Sequence, residues 1–180
     1  MDIVIESVSI NQHHTFSKPP QESINLIAGY GIEGDAHAGE FVQHLFLKKR
    51  NPTAPNLRQV HLIHAELLDE LKGKGYPVQP GDLGENITVR GVDLAALPTD
   101  TLLKVGESAV LRVTGTRDPC FQIDRFMEGV QELVTTRDEV GNVTGRCGVM
   151  TVVEAGGVVQ PGDRVEIVLP PEPHTPLKLV

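Results

Sequence analysis

The stretch LKVGESAVLRVTGTRDPCFQID, residues 103–124, contains two apolar segments separated by a turn signal, followed by a proline–cysteine pair. The segments TLLKVG, residues 101–106, and AVLRVTGT, residues 109–116, are typical of short β-strands. From Gln79 onwards such segments recur about every ten residues with turns between them, which is the spacing of a barrel or a sandwich. The other segments of this kind are ENITVRGV at 85–92, GVMTVVEAGG at 148–157 and DRVEIVLP at 163–170.

The N-terminal part of the chain continues this β-rich pattern. Residues 2–10, DIVIESVSI, place Ile3 and Ile5 on one side of a half-buried strand. Residues 12–23, QHHTFSKPPQES, contain two prolines and several polar residues, which predicts a surface loop. Residues 24–39, INLIAGYGIEGDAHAG, begin as a strand and then become rich in glycine.

The clearest helical pattern lies in RQVHLIHAELLDELKGKG, residues 58–75. Gln59–Ile63 is interpreted as a strand, and an amphipathic helix follows it and ends at Gly73 or Gly75. A second short helix is predicted within RFMEGVQELVTTRDE, residues 125–139. The predicted fold class is therefore mainly β with one or two helices. The leucines on the apolar face of the first helix are Leu67, Leu68 and Leu71.

Composition limits the size and the partners of the protein. The chain has 180 residues, is 39% hydrophobic and has a mean hydropathy of −0.11, which predicts a single domain over residues 1–180. It carries 16 Lys and Arg against 24 Asp and Glu, a formal net charge of −8. Such an acidic chain without a basic stripe is a poor partner for nucleic acid. The short basic run Lys48–Arg50 is interpreted as a solvated loop.

The sequence also predicts a cytoplasmic location. No apolar run is long enough for a membrane span, and Met1–Ile10 lacks the pattern of a secretory signal, so no membrane partner is expected. In a reducing compartment the two cysteines, Cys120 and Cys147, are expected to be free thiols. The proline-rich tail, residues 170–180, is expected to lie extended on the surface.

Cys120 is the first candidate for chemistry. The proline before it predicts a stiff turn rather than the interior of a strand. Arg117 lies three residues earlier, and a nearby guanidinium favours the reactive and metal-binding thiolate, whereas Asp118 acts in the opposite direction. The local sequence leaves open a buried apolar cysteine, half of a disulfide, a metal ligand and a nucleophile. Cys147 precedes an apolar strand and is interpreted as a core residue at the strand end.

Two other segments combine glycines with polar side chains. Residues 31–40, GIEGDAHAGE, place Asp35 and His37 among three glycines, so that the backbone could approach a ligand beside an acid and an imidazole. The segment matches neither a phosphate-binding loop nor the dinucleotide fingerprint. Residues 80–94, PGDLGENITVRGVDL, place Asn86 in a similar setting, and plain turns remain an alternative for both segments.

Several of these segments together resemble the MOSC domain family, which is named for the C-terminal domain of molybdenum cofactor sulfurase. Their order and rough spacing match the family, and GIEGDAHAG at 31–39 is similar to a motif of its stand-alone bacterial members. The resemblance runs from about Gly29 to Leu169 and leaves an N-terminal strand and loop at residues 1–28. The matching segments are RQVHLIHAELL at 58–68, PGDLGENITVRGVDL at 80–94, LKVGESAVLRVTGTRDPCFQID at 103–124 and GRCGVMTVVEAGGVVQPGDRVEIVLP at 145–170.

The resemblance implies a closed, mostly β barrel and a function centred on the family's cysteine, which matches Cys120. That cysteine is thought to carry sulfur as a persulfide or to bind the metal of a molybdenum cofactor (molybdopterin). Members of the family include the mitochondrial amidoxime-reducing component and bacterial proteins that reduce N-hydroxylated compounds. We therefore expect a sulfurtransferase or a molybdenum-dependent reductase that acts on a small molecule.

The resemblance also implies a partner protein. In the sulfurase, a pyridoxal-phosphate desulfurase domain supplies the sulfur, and such a domain does not fit in 180 residues. Pyridoxal phosphate is therefore expected only on a separate cysteine desulfurase. A reductase would instead need a separate electron-donor protein, because the sequence has no flavin, haem or iron–sulfur motif.

The pterin phosphate and dithiolene of the cofactor are anionic, so the implied site needs arginines and backbone N–H groups. Cys120 is the candidate for both the catalytic residue and the metal ligand. A non-catalytic carrier of cofactor or sulfur is an alternative, and a zinc-dependent enzyme built from His37, His61 or His64 is a further one. The candidate cofactor-binding residues are Arg117, Arg58, Asn86, Gly34, Asp35 and His37.

Overall fold

The computed structural model describes residues 2–137, 141 and 143–180. Its helices are α1 (Leu45–Arg50), α2 (Ala65–Gly73), α3 (Gln122–Phe126) and α4 (Val130–Val134), with a 3₁₀ turn at Leu94–Ala96. Its strands are β1 (Val4–Ser9), β2 (Pro20–Gln21), β3 (Ile24–Ile27), β4 (Gly31–Ile32), β5 (Val60–His64), β6 (Ile87–Arg90), β7 (Leu102–Val105), β8 (Ala109–Thr116), β9 (Thr135–Arg137), β10 (Val143–Gly145), β11 (Val149–Ala155), β12 (Gly157–Val159) and β13 (Val165–Val168).

The main sheet has eight strands in the order β13-β7-β8-β11-β5-β6-β1-β2. Its neighbouring strands are antiparallel except β5 and β6, which are parallel. A parallel pair needs a crossover connection, and α2 lies in that connection. In the pairing of the central strands β8 and β11, Thr116 at the end of β8 lies opposite Val149 at the start of β11. The loop that carries Cys120 therefore leaves the sheet beside Cys147.

The fold is mainly β as predicted, but the expected closure of the sheet into a β-barrel is wrong. The two ends of the sheet approach each other at an isolated bridge between Val4 and Arg164. The hydrogen bond from Ile5 N to Asp163 O, 2.8 Å, reinforces this approach. However, these contacts end at the first residue of β13, Val165, whose N donates to Ile3 O at 2.9 Å, and the C-terminal end of β1 pairs with β2 instead. The strand ladder is therefore not continued from β13 to β1.

A second sheet, in the order β12-β3-β4, positions the glycine-rich segment. After β4 the chain turns tightly, with hydrogen bonds from Asp35 N to Ile32 O and from Ala38 N to Asp35 O, both 3.1 Å. Ala36 N also donates to Asn11 O at 2.8 Å. The loops that follow β1 and β4 therefore lie side by side.

The apolar core forms two clusters, one along the main sheet and one between α2, α3 and α4. The second cluster contains Cys147, which confirms its interpretation as a core cysteine, and both cysteines are free thiols as expected. Ile123 of α3 packs in the same cluster, next in sequence to the Cys120 loop. The predicted apolar face of α2 is confirmed, since its buried leucines are Leu67, Leu68 and Leu71.

The prediction of one or two helices needs correction, because the described residues form four α-helices. Lys48–Arg50 were expected in a loop but form the last turn of α1, which buries none of its own residues. Because α1 has no buried face, its sequence carries no amphipathic pattern that would reveal it. The short helix expected within residues 125–139 is confirmed as α4, and Gly129, with a φ of 89°, separates it from α3. Residues 138–139 of that prediction lie outside the described residues.

None of the helices in the described part of the chain has the length and apolar character needed to cross a membrane.

Candidate functional site

A cavity of about 650 Å³ opens where the loops after β1, β4 and β8 converge on β5 and β11. Its polar and charged lining residues include His14, Lys18, His37, His44, Arg58, His61, Asn86, Arg117, Asp118, Cys120 and Gln122. Its apolar lining residues include Phe16, Leu45, Phe46, Pro119, Phe121 and Met150.

Cys120 lies on the loop that follows β8, and backbone hydrogen bonds fix this loop at both ends. Arg117 N donates to Gly148 O at 3.1 Å, and Ile123 N donates to Cys120 O at 3.1 Å. The thiol is partly exposed, and its sulfur lies 3.7 Å from the side-chain oxygen of Gln122. The structure therefore presents a free thiol to the cavity from an ordered loop.

Two arginines give the cavity a positive wall. Arg117 donates to the carbonyl oxygen of Leu83, and its guanidinium lies 5.7 Å from the ring centre of Phe16. The guanidinium of Arg58 makes no hydrogen bond or ion pair with any described residue. Burial, and then the charge of Arg117, lower the pKa of Arg58 below its usual value. Two neighbouring guanidinium groups with unused donors are a favourable setting for an anion.

A buried ion pair supports the part of the cavity wall formed by Lys18 and His37. Lys18 Nζ lies 2.7 Å from one carboxylate oxygen of Asp35 and 2.9 Å from the other. Asn86 Nδ2 donates to Asp35 at 3.0 Å, and the backbone N of His37 donates at 2.9 Å. Burial raises the pKa of Asp35, but the contacts with His37 and Lys18 outweigh it and hold this pKa well below its usual range. Asp35 is therefore an ionised carboxylate at the base of the site.

Three further histidines of the cavity are kept neutral by their surroundings. Burial and the charges of Arg58 and His37 lower the pKa of His44 to about 4, and its Nδ1 is buried without a partner among the described residues. Burial also lowers the pKa of His61 well below its usual value, and its Nε2 donates to the carbonyl oxygen of Cys147 at 2.6 Å. Burial and His37 lower the pKa of His14.

The cavity brings together most of the predicted site residues. Cys120, Arg117, Arg58, Asn86 and His37 all line it. Asn86 contributes mainly by bracing the wall, because its amide nitrogen donates to Ser9 O and Asp35, and its amide oxygen accepts from His61 N. The roles assigned to these residues remain predictions.

Some predicted residues lie off the cavity surface. Asp35 lies behind the wall, and Gly34 is not a lining residue. His64, a member of the zinc alternative, occupies the position before the first residue of α2, outside the cavity, and its side chain makes no capping hydrogen bond. Among the described residues, no group of three or more His, Cys, Asp or Glu side chains is arranged to hold a metal ion, so the zinc alternative has no ligand set there.

Sequence reasoning missed the contribution of the loop after β1. His14, Phe16 and Lys18 belong to the segment that was predicted to be a surface loop, yet they line the cavity and Lys18 is buried. The available signal was the concentration of histidine, phenylalanine and lysine in a short proline-containing loop. His44 and Phe46, around the start of α1, carried no comparable signal.

Glu85 gives a pH-dependent prediction next to the site. Its Oε1 accepts from Gly81 N at 2.7 Å and from Thr88 at 3.2 Å, while its buried Oε2 has no partner in the described chain. Burial raises the pKa of Glu85, so the folded state binds its proton more tightly than the unfolded state. The resulting contribution of Glu85 to the free energy of unfolding is complete below its pKa in the unfolded state. This contribution is lost as pH rises through its pKa in the folded state. We expect Glu85→Gln to remove the loss of stability that the wild type shows as pH rises above the unfolded pKa of Glu85, about 4.3.

Urea unfolding at several pH values measures this effect. Glu107→Gln, at an exposed carboxylate, is the control and should give a curve parallel to that of the wild type. If Glu85→Gln and the wild type also give parallel curves, the raised pKa does not contribute to stability.

The fold and the cavity define a mainly β protein that presents a free thiol in the same cavity as two arginines. A sequence model of the MOSC domain family matches residues 36–166, well over half of the chain. The chain therefore belongs to the MOSC domain family. No curated protein matches it significantly.

Solved structures of bacterial proteins share this fold. The YuaD protein from Bacillus subtilis is 23% identical with a TM-score of 0.72, and the match covers 93% of this chain and 96% of that one. YiiM from Geobacillus stearothermophilus is 17% identical with a TM-score of 0.63, covering 92% and 75%. YiiM from Escherichia coli is 20% identical with a TM-score of 0.62, covering 97% and 73%. At these identities the likeness shows the fold alone.

Proposed function

We propose that this protein binds a molybdenum cofactor in the cavity, with Cys120 as the thiolate ligand of the metal, and reduces N-hydroxylated small molecules. The observation that carries the proposal is the position of a free, partly exposed thiol in the same cavity as two guanidinium groups. Membership of the MOSC family supports it, because the family is associated with this cofactor.

The residues of the cavity fit such a group chemically. A soft thiolate is a suitable ligand for a thiophilic metal, and Cys120 has no disulfide partner. Arg58 has unused donors that match an anionic phosphate or dithiolene. The buried Nδ1 of His44 lacks a partner among the described residues, and a bound ligand with a complementary polar atom would satisfy it.

When bound, the cofactor would supply the two-electron redox chemistry. The protein would supply position and charge: Cys120 would hold the metal, and Arg58 and Arg117 would hold the anionic groups. Apolar side chains at the cavity, Phe46 and Phe121, are 62% and 58% exposed and would exclude water once a ligand covers them. Electrons would come from a separate protein, since the sequence has no motif for another redox group.

Metal analysis of matched cysteine variants tests this proposal. After reconstitution with the molybdenum cofactor, the wild type should hold close to stoichiometric molybdenum, and Cys120→Ser should hold at least about tenfold less because the soft ligand is lost. Cys147→Ala is the matched control and should keep its molybdenum, because burial raises the pKa of the Cys147 thiol to about 12 and the side chain lies outside the cavity. Equal molybdenum in the wild type and Cys120→Ser would overturn the proposal.

The same samples distinguish sulfur transfer from metal binding. A persulfide on Cys120 would appear as sulfane sulfur in the wild type and not in Cys120→Ser. Sulfane sulfur without molybdenum would favour a sulfur carrier that receives sulfur from a cysteine desulfurase. Bound molybdenum without turnover of any N-hydroxylated compound would instead favour a non-catalytic cofactor carrier.

A further inference from the structure

We propose that His37 is the catalytic proton donor of this site and that the buried Lys18–Asp35 pair positions it. This inference rests on the proposed reductive function and assigns the step that the thiol and the arginines leave unassigned. It follows from the placement of one imidazole between a buried carboxylate and an open cavity.

The two ring nitrogens of His37 have different surroundings. Nδ1 lies 3.4 Å from Oδ1 of Asp35. The same carboxylate oxygen also accepts a hydrogen bond from the backbone N of His37. Nε2 has no hydrogen-bond partner among the described residues. The side chain is 29% exposed and lines the same cavity as Cys120. The outer nitrogen is therefore free to meet a substrate while the inner nitrogen faces a carboxylate.

The carboxylate that faces Nδ1 is fixed in place. The Asp35 side chain is fully buried and is held by Lys18, which is 3% exposed, and by Asn86. An immobile carboxylate beside one ring nitrogen selects the tautomer of a histidine and orients its ring, as in other acid–base triads. Lys18 and Asp35 are thus positioning residues, and His37 is the group that would touch the substrate.

The other histidines of the cavity are poorer proton donors. The lowered pKa values of His14, His44 and His61 keep their rings neutral near pH 7, and His61 already donates its Nε2 proton to Cys147 O. None of these three rings has a carboxylate contact like that of His37 in the described structure. The geometry and the charges therefore select the same histidine.

The proposed step balances as R–NH–OH + 2 e⁻ + 2 H⁺ → R–NH₂ + H₂O. The N–O bond breaks, and the two electrons come from the reduced cofactor, which a separate electron-donor protein reduces again. His37 Nε2 gives one proton to the departing hydroxyl, which leaves as water. The second proton reaches the nitrogen from solvent, and solvent then reprotonates His37.

The tautomer of His37 tests the geometry without cofactor or turnover. In cofactor-free protein with ¹⁵N-labelled histidine, we expect the neutral His37 ring to carry its proton on Nδ1, facing Asp35. The competing arrangement has Lys18 Nζ, 3.5 Å away, donating to an unprotonated Nδ1. A neutral ring that carries its proton on Nε2, with Nδ1 unprotonated beside Lys18, would overturn the proposal, because Asp35 would then face no N–H of the ring.

Single-turnover kinetics test the chemistry. With reduced, cofactor-loaded protein and an amidoxime as the probe, His37→Gln should lose about 10²-fold or more of the rate, and added imidazole should restore part of it. His13→Gln, in the exposed loop after β1 and outside the cavity, should react like the wild type. Molybdenum content is measured in every sample and should be equal.

The outcomes separate the two proposals. No molybdenum in the wild type means that the proposed function fails, and the proton-donor role fails with it. Normal molybdenum with an unchanged rate in His37→Gln overturns only the role of His37. A rate that falls together with molybdenum content, without rescue by imidazole, makes His37 a cofactor-binding residue and also overturns the role.

Discussion

Replacing Gly148 with alanine is expected to lower the free energy of unfolding by about 3 kcal/mol or more. Gly148 has a φ of 89°, which a residue with a side chain adopts only with strain. An added Cβ would overlap the carbonyl oxygen of Leu62 and lie 2.7 Å from Ile63 Cγ1 and 2.9 Å from His61 Nε2. Because the main obstacle is the backbone of β5, no side-chain rotation can relieve it.

The consequence should extend to the candidate site. Gly148 O accepts the hydrogen bond from Arg117 N, so a shift of Gly148 moves the start of the Cys120 loop. We expect the Gly148→Ala variant to show a changed alkylation rate of Cys120 as well as a lower urea midpoint.

Gly162→Ala is the matched control for this prediction. Gly162 has a similar φ of 93°, but an added Cβ there would meet nothing within 4 Å. It should therefore show only the cost of the backbone conformation, about 1 kcal/mol. Equal losses in the two variants would mean that the close approach to β5 is unimportant.

Four strands of the C-terminal half could be predicted because each is a local pattern, whereas β9 lies in a segment that was predicted to contain a helix. β7, β8, β11 and β13 fall within the predicted segments, and the buried leucine face of α2 is visible at helical spacing. Barrel closure could not be predicted in this way, since it depends on the register between β1 and the turn before β13. The very short strands β2 and β4 have too few residues to show a period.

The candidate site was partly predictable for a similar reason. Cys120 and Arg117 share one loop, so their proximity is local, and the family resemblance pointed to the same cysteine. Lys18 could not be found, because its partner, Asp35, is 17 residues away on another loop. A lysine with no visible partner in sequence is interpreted as exposed, and only the three-dimensional structure shows that it is buried.

Lys18→Met is expected to destabilise the protein by about 3 kcal/mol near pH 7, measured by urea unfolding. The change leaves the fully buried carboxylate of Asp35 without its cation, and an unpaired buried charge costs about 3–5 kcal/mol. The hydrogen bonds from Asn86 and His37 remain and keep the loss at the lower end of that range. Lys104→Met, in the exposed pair with Glu166, is the control and should change stability by less than about 1 kcal/mol.

The pH dependence identifies the unpaired carboxylate as the cause. In the wild type the depressed pKa of Asp35 contributes stability above the unfolded value of about 3.9, and this contribution is lost as pH falls through the folded pKa. Without Lys18 the pKa of Asp35 rises, so protonation relieves the buried charge and the deficit of Lys18→Met should shrink as pH falls. The double variant Lys18→Met, Asp35→Asn carries no such charge and should be less destabilised than Lys18→Met at neutral pH. Two results would contradict this explanation: a stability deficit of Lys18→Met that is constant with pH, or losses of stability that add up in the double variant. Either would show that the methionine is packed badly and that the ion pair does not hold this wall of the cavity together.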